Sequence, residues 1–212
     1  MRSVSDMTTD IRTGLADEDG HRFTDAQVLS VLNRAARRVH RQMVRGLPEL
    51  LMSDPVEGTT TAGTAALSLD SPPQRILSVH VDERELKEVR QSVAGTYGST
   101  DTARPHSFYL KGWQSVNLVP TPDAAYSYRI VTVPRFTALT ASDSTAWPDD
   151  FDDALVEYVA ARLGIVDEGD ASQEMQMFSD FTNGIDELLG EFAPRAGHVS
   201  GYWDVQPVNG DY

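Results

Sequence analysis

Asp149, Asp150, Asp152 and Asp153 form the densest set of metal-ligating oxygens in the chain. A calcium or magnesium site needs several such oxygens converging on one point. These four open a helical pattern and fan around it, with neither the spacing nor the glycine of a calcium-binding EF-hand loop. Acids in a first helical turn are accounted for by the helix dipole, so no metal site is expected. His21, His40, His80, His106 and His198 are scattered, with no paired spacing, so a metal site or a general base would need long-range convergence. Without cysteine the chain has no disulfide, zinc thiolate or thiol nucleophile. G-x-S-x-G, phosphate-loop and dinucleotide motifs are absent. Carboxylate pairs that cleave glycosidic bonds stay open, because their role depends on separation in space. No catalytic residue and no cofactor is assigned.

Three groups of residues have the chemistry of contact. Arg34, Arg38, Arg41 and Arg45 recur at helical spacing, with Arg37 beside them. Such a stripe is a solvated face, a partner for acids of the same or a neighbouring subunit, or a DNA contact. Arg162 falls inside an apolar stripe with Phe151, Leu155 and Tyr158. It reads as a paired arginine at the core edge or as an arginine at a subunit interface. Tyr202, Trp203 and Tyr212 lie in a Gly/Pro-rich stretch that cannot bury them by itself. They read as anchors for a partner, or as a strap across their own domain.

These residues are positioned by a simple order of elements. Met1 to Gly20 has a weak helical pattern around Val4, Met7 and Ile11. Thr24 and Gln27 form a capping box that opens a helix to about Arg45. Its apolar stripe is Val28, Leu32, Ala35, Val39 and Met43. From Val56 the pieces become short, β-branched and broken by Gly and Pro. Strands are expected near Ala65–Leu69, Arg75–Val81, Ser107–Lys111, Ser115–Val119 and Tyr126–Pro134, with Gly112 in a tight hairpin turn. Glu85–Arg90 is a sixth strand or one turn of helix, and 59–66 a loop or strand edge. Helices follow over Asp149–Val166 and Ala171–Phe192. The fold class is α+β. An α-helical bundle, one N-terminal and two C-terminal helices, occupies residues 1–55 and 140–192. An antiparallel β lobe over 56–139 is inserted in it, and 193–212 is an extended tail.

The net charge is −14 and it is unevenly spread. Up to Thr140 the 16 basic residues balance 16 acids; from Ala141 onward Arg162 and Arg195 face 16 acids. Such a chain repels phosphate, which disfavours nucleic-acid binding and is compatible with a channel through which DNA slides without sticking. A solvated acidic face is the plainer reading. No apolar run approaches the roughly 18 residues of a membrane span, and Met1 to Gly20 lacks the apolar centre of a signal peptide. A soluble protein made in a cytoplasm is expected.

Taken in order, five segments carry a likeness. They are N-R-A-A-R-R-V-H-R-Q-M at Asn33–Met43, P-Q-R-I-L-S-V at Pro73–Val79, and the hairpin with its P-T-P corner from Pro105 to Pro122. A strand ending at Pro134 and W-P-D-D-F…A-L-V-E-Y-V-A-A from Trp147 to Ala161 complete them. Over about Ala26 to Gly164 the chain resembles the head-to-tail adaptor (connector or neck) proteins of tailed viruses of the bacteriophage type. Trp147 departs from the leucine of that pattern, and the tail after Phe192 lies beyond it. The resemblance implies a structural virion protein, not an enzyme, without cofactor or membrane. It implies a ring, commonly of twelve copies, beneath the portal, joining capsid to tail and letting DNA pass without specific binding. The implied partners are the portal ring, tail or neck proteins and further copies of the chain. The implied location is the virion neck, and the host cytoplasm during assembly. The C-terminal segment or the bundle would dock on the portal, the β lobe would face the tail, and the acidic third would line or flank the channel. A tail-completion protein that meets the tail tube, or a carboxylate-based cell-wall hydrolase of the virion, are the alternatives.

Overall fold

The computed structural model describes residues 2–94, 102–168 and 171–196. The chain divides into two compact units, one of Met1–Leu50 with Ala138–Tyr212, the other of Leu51–Thr137.

The first unit is helical. Helix α1 (Val4–Gly14) is capped by the Ser3 hydroxyl, which accepts from the Asp6 amide. Its Val4, Met7 and Ile11 are fully buried, so the weak N-terminal pattern is a real helix. Helix α2 (Asp25–Gly46) opens on the expected capping box, with Thr24 and Gln27 satisfying each other's backbone amides. Every member of the expected α2 stripe, from Val28 to Met43, is buried. Between α1 and α2, Asp17 accepts from the amides of Arg22 and Phe23 at 2.9 and 3.0 Å. Arg12 closes the turn by pairing with Asp17 and Asp25. The backbone amides, that of Arg22 foremost, hold the Asp17 carboxyl below its ordinary value.

After the return from the second unit, Asn33 of α2 clasps the incoming chain. Its amide oxygen accepts from Leu139 N at 2.7 Å, and its amide nitrogen donates to Leu139 O at 3.0 Å. Helices α4 (Asp149–Glu168) and α5 (Ala171–Ala196) complete the unit. Tyr158 stacks on Phe181 with ring centres 4.3 Å apart, and Phe151 meets Phe192 at 5.6 Å. Helix α5 runs on past Phe192, where the sequence pattern ends, to Ala196. Among the described residues no helix is long and apolar enough to cross a membrane.

Among the described residues the second unit holds eight strands: β1 (Val56–Thr59), β2 (Ala66–Ser68), β3 (Arg75–Val81), β4 (Arg84–Glu85), β5 (Lys87–Glu88), β6 (Ser107–Lys111), β7 (Ser115–Val119) and β8 (Ser127–Val133). A one-turn helix, α3 (Gln91–Ala94), follows β5. The strands form two four-stranded sheets, ordered β1-β8-β3-β4 and β2-β7-β6-β5. Val79, Val81 and Ile130 of one sheet and Leu67, Phe108, Val116 and Leu118 of the other share one core. Buried Leu86 stands between β4 and β5, where the chain passes from one sheet to the other. Gly112 makes the β6–β7 turn at φ +69°, as expected.

Two details depart from the expectation. The strand pairs are antiparallel, as expected of the lobe, apart from the short β5–β6 ladder, which is parallel. The stretch from Val89 to His106 is long enough for the crossover that parallel strands require. Strand β1 was not anticipated. It is short and carries Gly58 at its centre, where a Cβ would lie 2.6 Å from the Tyr128 hydroxyl oxygen. Tyr128 pairs directly across from it, so a residue that weakens a strand signal is required here by its neighbour.

Candidate functional site

Polar chemistry in the helical unit concentrates on one side of α2. A groove of about 780 Å³ runs along it, lined by arginines of α2, by Arg162 of α4, and by Phe178, Asp186 and Leu189 of α5. Arg34, Arg41 and Arg45 are exposed and carry no ion pair among the described residues. Arg38 behaves differently. Its guanidinium carbon lies 3.8 Å from the centre of the Phe178 ring, and its Nε is buried without a hydrogen-bond partner. A stripe expected wholly opposite the apolar face therefore turns one arginine inward, because Phe178 offers a ring face for the cation. Gln42 bridges the same helices, its amide nitrogen donating to Asp186 at 3.1 Å.

Arg162 sits at the core edge. It donates to the Tyr158 hydroxyl at 2.9 Å and pairs with Glu174 of α5 at 2.6 Å, so its guanidinium is engaged within its own chain. Tyr202, Trp203 and Tyr212 lie outside the described residues.

The four aspartates at the start of α4 are not equivalent, contrary to the reading that they simply fan around the helix. Asp149, Asp150 and Asp153 are exposed, and Asp153 pairs with Arg2 at 2.7 Å. Asp152 is fully buried. It accepts from the Trp147 indole at 2.9 Å and from the Thr145 hydroxyl at 2.8 Å. Burial pushes its carboxyl above the ordinary value, against the pull of these donors. The Trp147 that departs from the adaptor pattern thus has a specific hydrogen-bonding task. Among the described residues, no three His, Asp or Glu side chains are placed to hold a metal ion. Of the histidines, His40 is buried in α2, whereas His21 and His106 are exposed and His80 half-buried; His198 is outside the described residues.

The β lobe adds a residue that sequence reasoning passed over. Trp113, next to Gly112 in the hairpin turn, is 77% exposed, with Arg135 set 5.1 Å from its ring centre. The signal was present, since a tryptophan directly after a turn glycine has no strand face on which to be buried.

A family model described as SU10 adaptor protein matches residues 2–202, and so spans both units. The chain belongs to this family. It is a head-to-tail adaptor family of tailed phages, so the adaptor is a viral structural protein. No curated protein matches the chain. The segments that carry the adaptor likeness now have places in the fold. Pro73–Val79 leads into and forms most of β3, Pro105–Pro122 is the β6–β7 hairpin with a cis peptide at Val119–Pro120, and Trp147–Ala161 is the start of α4. Membership implies a virion-neck location and contact with portal and tail proteins.

Proposed function

We propose that this adaptor assembles as a ring of twelve copies beneath the portal, joins the capsid to the tail, and lets DNA pass without specific binding. The observation that carries this reading is the family match over residues 2–202. The −14 net charge supports passage without sticking, because a surface of that sign repels phosphate. In this reading the adaptor works by binding and not by catalysis. It is made in the host cytoplasm and ends in the virion neck.

The same reading includes a division of labour between the two parts of the chain. Tyr202, Trp203 and Tyr212, aromatic residues in the segment after residue 192, dock on the portal, with the helical part of residues 1–55 and 140–192 behind them. The lobe of residues 56–139 meets the tail, and exposed Trp113 at its hairpin turn is the anchor there. Arg162 braces α4 against α5 at the edge of the docking region.

Native mass spectrometry of the adaptor, alone and mixed with the portal of the same genome, tests this. A portal complex carrying adaptor copies in ring stoichiometry is the expected result. An adaptor that ignores the portal, while binding tail-tube protein, would replace the reading with that of a tail-completion protein.

A further inference from the structure

The helical unit carries two charged rows of opposite sign and equal length. Arg34 to Arg45 on α2 and Asp180 to Glu191 on α5 each cover 11 residue steps, the first row including Arg38 and Arg41 and the second Glu187. At 1.5 Å per residue each row is about 16 Å long. Asp180, Glu187 and Glu191 are exposed, and none is ion-paired among the described residues; Asp180 accepts only from Gln176. Asp180 also borders a shallow groove of about 320 Å³ whose floor is apolar, formed by Ala154, Ala161, Met177 and Phe181.

The two rows do not meet within one copy. On α5 the residues facing the arginines (Phe178, Thr182, Asp186, Leu189) lie about 145° around the helix from those beside the acids (Met177, Asp180, Phe181, Gly184), at 3.6 residues per turn. Asp186, the acid lining the arginine groove, accepts from the Gln42 amide, and Glu174 pairs with Arg162. The outward arginines therefore keep their charge for something outside the copy.

We propose that the arginine row of α2 in one copy docks on the acidic row of α5 in the next. The occupant of each face is a second copy of this chain. Complementary but different patches on one molecule, paired one at a time, make a head-to-tail contact that closes into a ring or runs on as a filament. The apolar floor beside Asp180 supplies the area, and the charges supply register. The proposal rests on the ring reading and gives it a seam. It also assigns Asp180 and Glu187 to the neighbour and not to the wall of a DNA channel.

The test uses two full-length variants. One is Arg34→Glu/Arg41→Glu/Arg45→Glu, and the other is Asp180→Arg/Glu187→Arg/Glu191→Arg. All six side chains are exposed, so both variants are expected to keep the wild-type circular dichroism. Multi-copy assembly, free or on the portal, is read by native mass spectrometry at low salt. Each variant alone is expected to lose assembly about tenfold or more, because like charges then face each other. An equimolar mixture is expected to recover it in alternating order, since each variant then offers the sign the other needs. Variants that assemble as well as wild type overturn this seam and leave the ring reading standing. The same holds if the acid variant assembles normally and only DNA delivery fails. If wild type never forms multi-copy species with the portal, the ring reading and the seam fall together.

Discussion

The indole N–H of Trp147 donates to the buried carboxylate of Asp152 across 2.9 Å, tying the segment before α4 to the first turn of that helix. A helix start with a proline at Pro148 and acids at 149 and 150 needs no further cap from the dipole alone. Asp152 does something else. It satisfies two side-chain donors, from Thr145 and Trp147, that the core would otherwise strand.

The two partners of this bond are therefore expected to be energetically coupled. Trp147→Phe keeps most of the ring but leaves the carboxylate short of a donor, at about 1–3 kcal/mol. Asp152→Asn in the Trp147→Phe background is expected to cost less than Asp152→Asn alone. Urea denaturation of the four proteins gives the coupling. Additive costs would show that the bond contributes nothing of its own.

Two buried carboxyls make pH act in opposite directions. Burial raises the Asp152 value above 3.8, so the folded state holds a proton that the unfolded chain releases. Its stabilising share is fully present below the unfolded value and is lost as pH rises through the raised folded value. Backbone amides lower Asp17 below 3.8, so its share is present above the unfolded value and is lost as pH falls through the folded one. Asp152→Asn should flatten the decline of stability upward from about pH 4, and Asp17→Asn should flatten the acid limb below it. Melting temperatures across pH 2.5–7 (a scan of about ten points) check both signs. A fall in both variants of the same slope would contradict the assignment.

Gly58 and Tyr128 face each other across β1 and β8, with no room for a Cβ beneath the phenol. Gly58→Val forces Tyr128 to leave that position and is expected to destabilise the protein by about 1–3 kcal/mol despite valine's strand preference. Pairing it with Tyr128→Ser should recover part of the loss. The same melts, with no recovery in the double variant, would refute the steric account.

Trp113 separates stability from partnership. A tryptophan 77% exposed in a turn contributes little to the fold, so Trp113→Ser should shift stability by no more than about 0.5 kcal/mol. If the lobe meets the tail, the same change should weaken joining of tails to adaptor-loaded heads, counted by electron microscopy. Unchanged joining would remove Trp113 as the anchor.

Arg162 is expected to act as an internal brace. Arg162→Met retains the stem but releases Tyr158 and Glu174, and should cost about 0.5–1.5 kcal/mol. Glu174→Gln should cost less in that background than alone. Loss of portal capture with unchanged stability would point instead to a contact across subunits.

Much of the helical architecture was legible because periodicity is a local signal. Val28 through Met43 repeat at helical spacing over many turns, and Thr24 with Gln27 marks where the helix begins. The strands from β6 to β8 were legible from their turns, Gly112 above all. What escaped depended on pairing in space. Strand β1 is four residues with a central glycine, and only Tyr128 explains the glycine. Asp152 looks like its three neighbours in sequence, and only burial beside Trp147 sets it apart. Arg38 has the spacing of a solvent arginine, and only Phe178, 140 positions later, draws it inward. The family likeness reached further than these residues did, since order along the chain survives where individual contacts are invisible.

The discontinuity of the helical unit has a consequence for synthesis. Helix α2 is finished at Gly46, but α4, the helix that packs most extensively against it, starts only at Asp149. At about 5–20 residues per second, the ribosome takes roughly 5–20 s to deliver that neighbour. Throughout that interval the apolar side of α2 has only α1 as native cover, while the lobe of Leu51–Thr137 emerges whole and can fold. The nascent adaptor is thus most prone to aggregation in the middle of its translation, and a chaperone that shields a single amphipathic helix for some seconds would raise its yield more than one acting on the released chain.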